Sequence, residues 1–597
     1  MGLSARKDVP AEDTWALEDM FATDEDWEKE YASIKKAIPE LAACRGQIAA
    51  QVTAMQPVLD RFFRLERRYD HLMQYAKMRQ DQDAGNSFYQ NLNARAGSLG
   101  SELEAAASWI RPEILTHSAE EIEAELSRNP GLKDYDRWVR ELVRRNAHTL
   151  DTASEELLAQ ASEIARVPEN VYNMLITADL KFPDAVLEDG TRISVTNSSL
   201  TTLLENPDRS ARRAVFNTYY DQLHSFGNTF AGMLDGFAKQ TAFYARARKY
   251  ASGRAMAMDA DNIPESVYDN LIAAVNESLP SFHRYIALRK KIMGVDELHM
   301  YDIYARLFPE GGRTYTRREA EDTIAAALAP MGGEYVSLLR QGFADRWIDY
   351  YPNQGKSGGA YSWGSYDSHP YVLTNFQGTL DSVSTLAHEM GHSLHTWYSN
   401  HNQPYAKSAY SMFVAEVAST CNEALLISYL LKNTDDKDEK KAYLNYFLDT
   451  FKGTLFRQTQ FAEFEYDFHT MCGQGTPLTQ DALNDLYLKI NRKYYGPDMV
   501  SDPGIAYEWM RIPHFYMQYY VYVYATSYAA AVAISSRILR EGKPAVDDYL
   551  HLLKGGCSED PIELLREAGV DMTTKKPVLD AVGRFNELLD ELEALTD

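Results

Sequence analysis

Cysteine is scarce in this chain: four thiols in 597 residues, at Cys44, Cys421, Cys472 and Cys557. So few, so far apart, exclude a disulfide scaffold and read as reduced side chains. Long apolar runs are missing as well, since none approaches the roughly 20 residues that a membrane-crossing helix needs. The opening Met-Gly-Leu-Ser-Ala-Arg-Lys-Asp has no apolar signal core, and Arg6 stands where N-myristoylation wants Ser or Thr. Positive charge is in deficit. With 61 Lys and Arg against 86 Asp and Glu, the net charge of −25 repels nucleic acid phosphates and anionic lipid. No nucleic acid and no membrane partner is therefore expected, and the location expected is cytoplasmic. There is no fixed-period repeat and no low-complexity linker. A phosphate-binding loop is absent too: Gly355-Lys356-Ser357-Gly358-Gly359 lacks the leading Gly, because position 350 is Tyr. That stretch is either a mobile loop over a cleft or an inert surface turn.

What is present is mostly helical pattern. Thr23 to Asp26 reads as a capping box before an apolar face from Trp27 to Ile34, with Pro39 beyond its end. Spacings of three and four recur over 59–78, 86–110, 119–126 and 134–143, broken at Pro112 and at Pro130-Gly131. Alternation appears first at Ala185 to Val195, where Asp189-Gly190 predicts a hairpin turn. The chain is long enough for two domains. A boundary near 190–205 divides it into an N-terminal helical region, 1–195, and a catalytic region, 196–597. A second β signal, Tyr371 to Phe376, is expected to offer a free strand edge to an extended peptide.

Directly after that strand comes Ala387-His388-Glu389-Met390-Gly391-His392. On a helix, His388 and His392 lie one turn apart and can converge on one ion, while Glu389 sits beside it as a base without ligating. Thr379 or Asp381 caps this helix, and Val383, Leu386, Ala387, Met390 and Leu394 form its apolar stripe. A catalytic zinc normally takes three protein ligands. His395 and Tyr398 stand where a metzincin would have Gly and its third His, so that continuation fails. Glu416 and Glu423, seven apart on one face of an otherwise small and apolar helix, are the candidates. Glu416 is read as the ligand and Glu423 as a partner behind it.

The run Thr385 to His392, then Phe413 to Thr420 and Asn422-Glu423, resembles the thimet-type oligopeptidase family of zinc metallopeptidases, closest to bacterial oligoendopeptidase F. Thr14 to Phe21, His299 to Tyr304 and Phe456 to Phe461 extend the resemblance over most of the chain. It implies one Zn2+ on His388, His392 and Glu416. It also implies a mainly α fold of two helical halves enclosing a deep substrate channel, with a small β-sheet beside the zinc-binding helix. Substrates are then short unfolded peptides cut at internal bonds. The aromatic run from Arg511 to Tyr524 includes Gln518-Tyr519-Tyr520-Val521-Tyr522, similar to the family's Q-Y-Y-x-Y pattern, and His514 precedes it. These residues are either core packing or donors: His514, Tyr519 and Tyr522 are read as stabilising the oxyanion formed when water attacks the carbonyl. A zinc carboxypeptidase or dipeptidyl carboxypeptidase of similar build is the alternative enzyme, and a helical binding protein with a dead metal site the alternative outside enzymes.

Overall fold

A computed structural model describes residues 3–308 and 313–596. Its strands are all of two or three residues: β1 (Ala185–Val186), β2 (Arg192–Ile193), β3 (Leu298–His299), β4 (Ile348–Asp349), β5 (Tyr361–Trp363), β6 (Tyr371–Leu373) and β7 (Met499–Val500). Nearly all other regular structure is helix, so the mainly α expectation holds. The chain divides into two compact units, each assembled from three stretches.

The first unit comprises Met1–Ala147, Arg313–Tyr429 and Ile534–Val570. Its opening helix, Asp24–Ala42, starts where expected, with the Thr23 hydroxyl accepting the Asp26 amide at 3.2 Å. Pro39 lies inside its last turn instead of beyond it. One missing amide bond is outweighed by tertiary burial: Ile34, Ile38 and Leu41 are packed on both sides of the proline, and the buried Trp27 indole donates to the Leu72 carbonyl at 2.9 Å. Helices Met55–Asp81 and Ser87–Ala107 pack against it and against each other, and Ser118 heads Ala119–Arg128 with a full capping box. Pro112, expected as a break, sits within the short helix Ile110–Ile114.

The glycine stretch after Tyr350 is pinned in place. The Lys356 ammonium is wholly buried, 2.6 Å from Asp349 and bonded to the Asp349 and Tyr351 carbonyls, and Ser357 bonds the backbone and carboxylate of Asp81. An amine so completely partnered holds its loop down, because freeing it would break two carbonyl bonds and one of the two ion pairs, with Lys356 and Arg6, that hold the buried Asp349. Lys356 and Ser357 are thus anchored, while Gly358 and Gly359 stay exposed.

β6 is the centre of a three-stranded sheet, parallel to β4 and antiparallel to β5. Its edges are both used, which corrects the expectation of a free edge at Tyr371 to Phe376. The outer strands are β4 and β5, and β5 lies on the helix that carries the histidines, where the Ser362 and Ser393 hydroxyls meet at 2.8 Å. A small sheet thus stands beside that helix, as anticipated.

The second unit comprises His148–Gly312, Leu430–Ala533 and Asp571–Asp597. β1 and β2 form the hairpin expected at Asp189-Gly190, with Gly190 at φ +86° and the Thr191 amide on the Asp189 carboxylate. Long helices, including Gly227–Ala247, Glu265–Glu277 and Arg457–Gly473, build the rest. The His299 to Tyr304 motif is structural here: buried Asp302 accepts from Arg209 and Arg212, and β3 pairs with β7.

Candidate metal centre

The motif helix spans Leu380–Asn402 and is capped by Thr379, whose hydroxyl accepts the Ser382 amide at 3.1 Å. Val383, Leu386, Ala387, Met390 and Leu394 are all fully buried, so one face is locked into the unit, and His388 and His392 lie on another, largely buried but with ring edges accessible. The helix Met412–Lys432 crosses it. This second helix is apolar and long enough to cross a membrane by composition, yet 78% of its most apolar window is buried within the fold.

Gly391 sets how closely the two helices approach. A Cβ there would stand 2.6 Å from the Ala418 carbonyl oxygen and 2.7 Å from Ser419 Cα, both backbone atoms with nowhere to move. The crossing is clamped by Asn422, fully buried, which donates to the Ala387 carbonyl at 3.1 Å and accepts from the Tyr335 hydroxyl at 2.9 Å. Gly391→Ala should therefore separate the helices, at a cost of about 1–3 kcal/mol in stability, and weaken metal binding in proportion. Unfolding curves and a zinc titration would measure both; unchanged zinc affinity would refute the role given to the close approach.

At the crossing, Glu416 Oε2 lies 3.4 Å from His388 Nε2 and 3.6 Å from His392 Nε2. Ions bound at roughly 2.0–2.2 Å in tetrahedral geometry keep their ligand atoms about 3.3–3.6 Å apart. Donor spacing and donor chemistry, two imidazoles and a carboxylate, thus fit a single divalent ion. Behind them, Glu423 Oε1 faces His388 Nδ1 at 3.4 Å and accepts the Ser384 hydroxyl at 3.3 Å, while the Ala415 carbonyl bonds the His392 ring. Ser419 donates to Glu416 Oε2 at 3.0 Å. These partners turn both Nε2 atoms, with their lone pairs, toward the same point.

Burial alone would depress the pKa of His388, but Glu423, Glu389 and Glu416 outweigh it and push it up to about 9. His392, buried beside a cationic neighbour, goes the other way, down to about 4. Burial also raises the Glu389 carboxyl to about 7, with Glu416 and Glu423 adding to the rise against His388. The shifts follow from three carboxylates and two imidazoles packed within a few ångströms of one another. His395, one turn on, is not part of it: its ring is fully buried and stacks on Tyr410 at 3.7 Å.

The remaining predicted residues belong to the second unit. Tyr519 and Tyr522 are buried, and both rings pack on Tyr268, at 5.7 and 5.1 Å. His514 is half-exposed, 3.4 Å from the Tyr524 hydroxyl. Gly391, Asn422, Ser384 and Ser419 were missed in the sequence. Small residues at the helix crossing were the only available signal, and they read equally well as ordinary packing.

The profile described as "Peptidase family M3" matches residues 202–584, and "Oligopeptidase F" matches 113–182. Oligopeptidase PepF of Bacillus subtilis is 45% identical over 593 residues, covering 99% of this chain and 88% of its own length. Among solved structures, oligoendopeptidase-F from Enterococcus faecium is 37% identical with a TM-score of 0.75, covering 96% of this chain and 99% of that one. A putative peptidase from Chlamydophila abortus gives 34% and 0.92, covering 99% and 100%. Matched along nearly its whole length, and carrying a His-Glu-x-x-His helix crossed by a carboxylate-bearing one, this chain belongs to peptidase family M3 and is a metalloendopeptidase of oligopeptides.

Proposed function

We propose that the ion is a single Zn2+ held by His388, His392 and Glu416, and that Glu389 is the general acid–base of peptide hydrolysis. The observation that carries this is the convergence of three ligand atoms on one point, with Glu389 next to His388 on the same helix. Zinc, when bound, supplies Lewis acidity, polarising the scissile carbonyl and acidifying water. Glu389 does the proton work. Buried directly after His388 on the same helix, its carboxylate takes the attacking water's proton and passes it to the leaving amine. The outer edge of β5 pairs with the extended peptide and lays it along the motif helix.

His514, Tyr519 and Tyr522 are assigned to the oxyanion. In favour of this, each tyrosine carries a hydroxyl that is a proton donor at neutral pH. Phenylalanine at 522 preserves the ring and deletes the donor. We expect kcat to fall about 10²–10³-fold with KM little changed, because the ground-state carbonyl needs the donor less. Turnover near wild type would return the run to core packing. The division into 1–195, a channel wall, and 196–597, the catalytic part, has in its favour the break between the two family profiles, one ending at 182 and the other starting at 202, while both compact units draw residues from either side of it. Substrates are short peptides met in the cytoplasm, without nucleic acid or membrane partners. Cleavage of a peptide blocked at both ends, measured beside metal content, tests the whole reading.

A further inference from the structure

Five non-glycine residues have positive φ among the described residues, and Gln518 and Tyr519, at +33° and +59°, are the adjacent pair. Bulky side chains avoid this region, and such strain survives only where surrounding groups over-determine it. Here the surrounding groups come from the helix Arg457–Gly473. Glu465, wholly buried, accepts the Tyr519 amide at 2.7 Å through one carboxyl oxygen. Its other oxygen has no hydrogen-bond partner. One turn on, His469 stacks on the Tyr519 ring at 4.8 Å, and one turn back the Ala462 carbonyl accepts the hydroxyl of Tyr268, the ring that supports both tyrosines. Helix Tyr522–Glu541 begins three residues after the corner, so the direction taken at 518–519 decides where Tyr522 points.

A buried acid with a single bond is costly for the fold, and nothing in packing explains an acid where leucine would fill the space. We propose that Glu465 is a positioning residue for catalysis: by gripping the Tyr519 amide it fixes the left-handed Gln518–Tyr519 corner and thereby holds Tyr519 and Tyr522 in the orientation their oxyanion role requires. This rests on the oxyanion reading of those tyrosines. Burial holds the Glu465 carboxyl mostly protonated, pushed up to about 8. A neutral acceptor of the same shape, glutamine, should therefore do its work, whereas methionine, equally long but without an acceptor, should not.

The test compares Glu465→Gln, Glu465→Met, Tyr519→Phe and Tyr522→Phe in the full-length metal-loaded enzyme, each with metal content and a melting curve. Misplacing a catalytic group by about 1 Å costs about 10²-fold, so Glu465→Met should lose about 10–100-fold in kcat with KM and metal content unchanged, and Glu465→Gln should stay near wild type. Glu465→Met folded with wild-type kcat, or Glu465→Gln as impaired as Glu465→Met, would overturn the proposal. If Glu465→Met does not fold, Glu465→Asp, which withdraws the acceptor by one methylene, is read by the same criteria. Failure of both to fold would make Glu465 a structural residue and also overturn it. Should Tyr522→Phe and Tyr519→Phe keep wild-type kcat, the oxyanion reading fails, and a kcat loss in Glu465→Met would then show that the corner positions some other group.

Discussion

Glu389→Gln should keep one equivalent of zinc and lose about 10²–10⁴-fold in kcat, the range that positioned proton transfer contributes. The amide has the size of the carboxyl and adds no charge, and none of the three ligand atoms belongs to it. What it lacks is basicity: it cannot take the proton of the attacking water or return one to the leaving amine. KM should change little, because the peptide backbone is gripped elsewhere. Retained turnover would remove Glu389 from the mechanism and leave its burial beside two other acids without a functional account.

The second large effect separates the two glutamates of the crossing helix. Glu416→Ala removes the atom on which both imidazoles converge and the negative charge that faces them. Dialysed protein should then hold almost no zinc and show no activity above background, since two neutral imidazoles are one ligand short of a catalytic site. Glu423→Gln, by contrast, leaves all three ligand atoms in place and slackens only the orientation of His388. An affinity loss of about 10–100-fold is expected, overcome by added zinc. The reverse order, with Glu416→Ala fully loaded and Glu423→Gln empty, would transfer the ligand role to Glu423.

The ligand helix was legible because its information is local: a cap at Thr379, an apolar stripe, and two histidines one turn apart. The placement of Glu416 beside the two histidines was legible for a related reason, as an acid on an apolar face has few other uses. What could not be read depends on partners far along the chain. Whether Tyr371–Leu373 has a free edge is decided by β4 and β5, whose two or three residues leave almost no pattern. Pro39 is a breaker by local rules and is overruled by the core around it. The fixity of the Gly355 loop comes from Lys356 reaching Asp349 and Ser357 reaching Asp81, neither visible in the loop's own composition. The strained corner at Gln518–Tyr519 has no signature at all, because neither residue type favours positive φ.

The central claim is that two imidazoles and one carboxylate hold a single zinc ion. X-ray absorption at the zinc edge of the purified enzyme tests it most directly. One equivalent of zinc is expected, with a first shell of nitrogen and oxygen at about 2.0–2.2 Å that includes two imidazoles. A shell containing sulfur at about 2.3 Å, or a fully active enzyme with no bound metal, would contradict it.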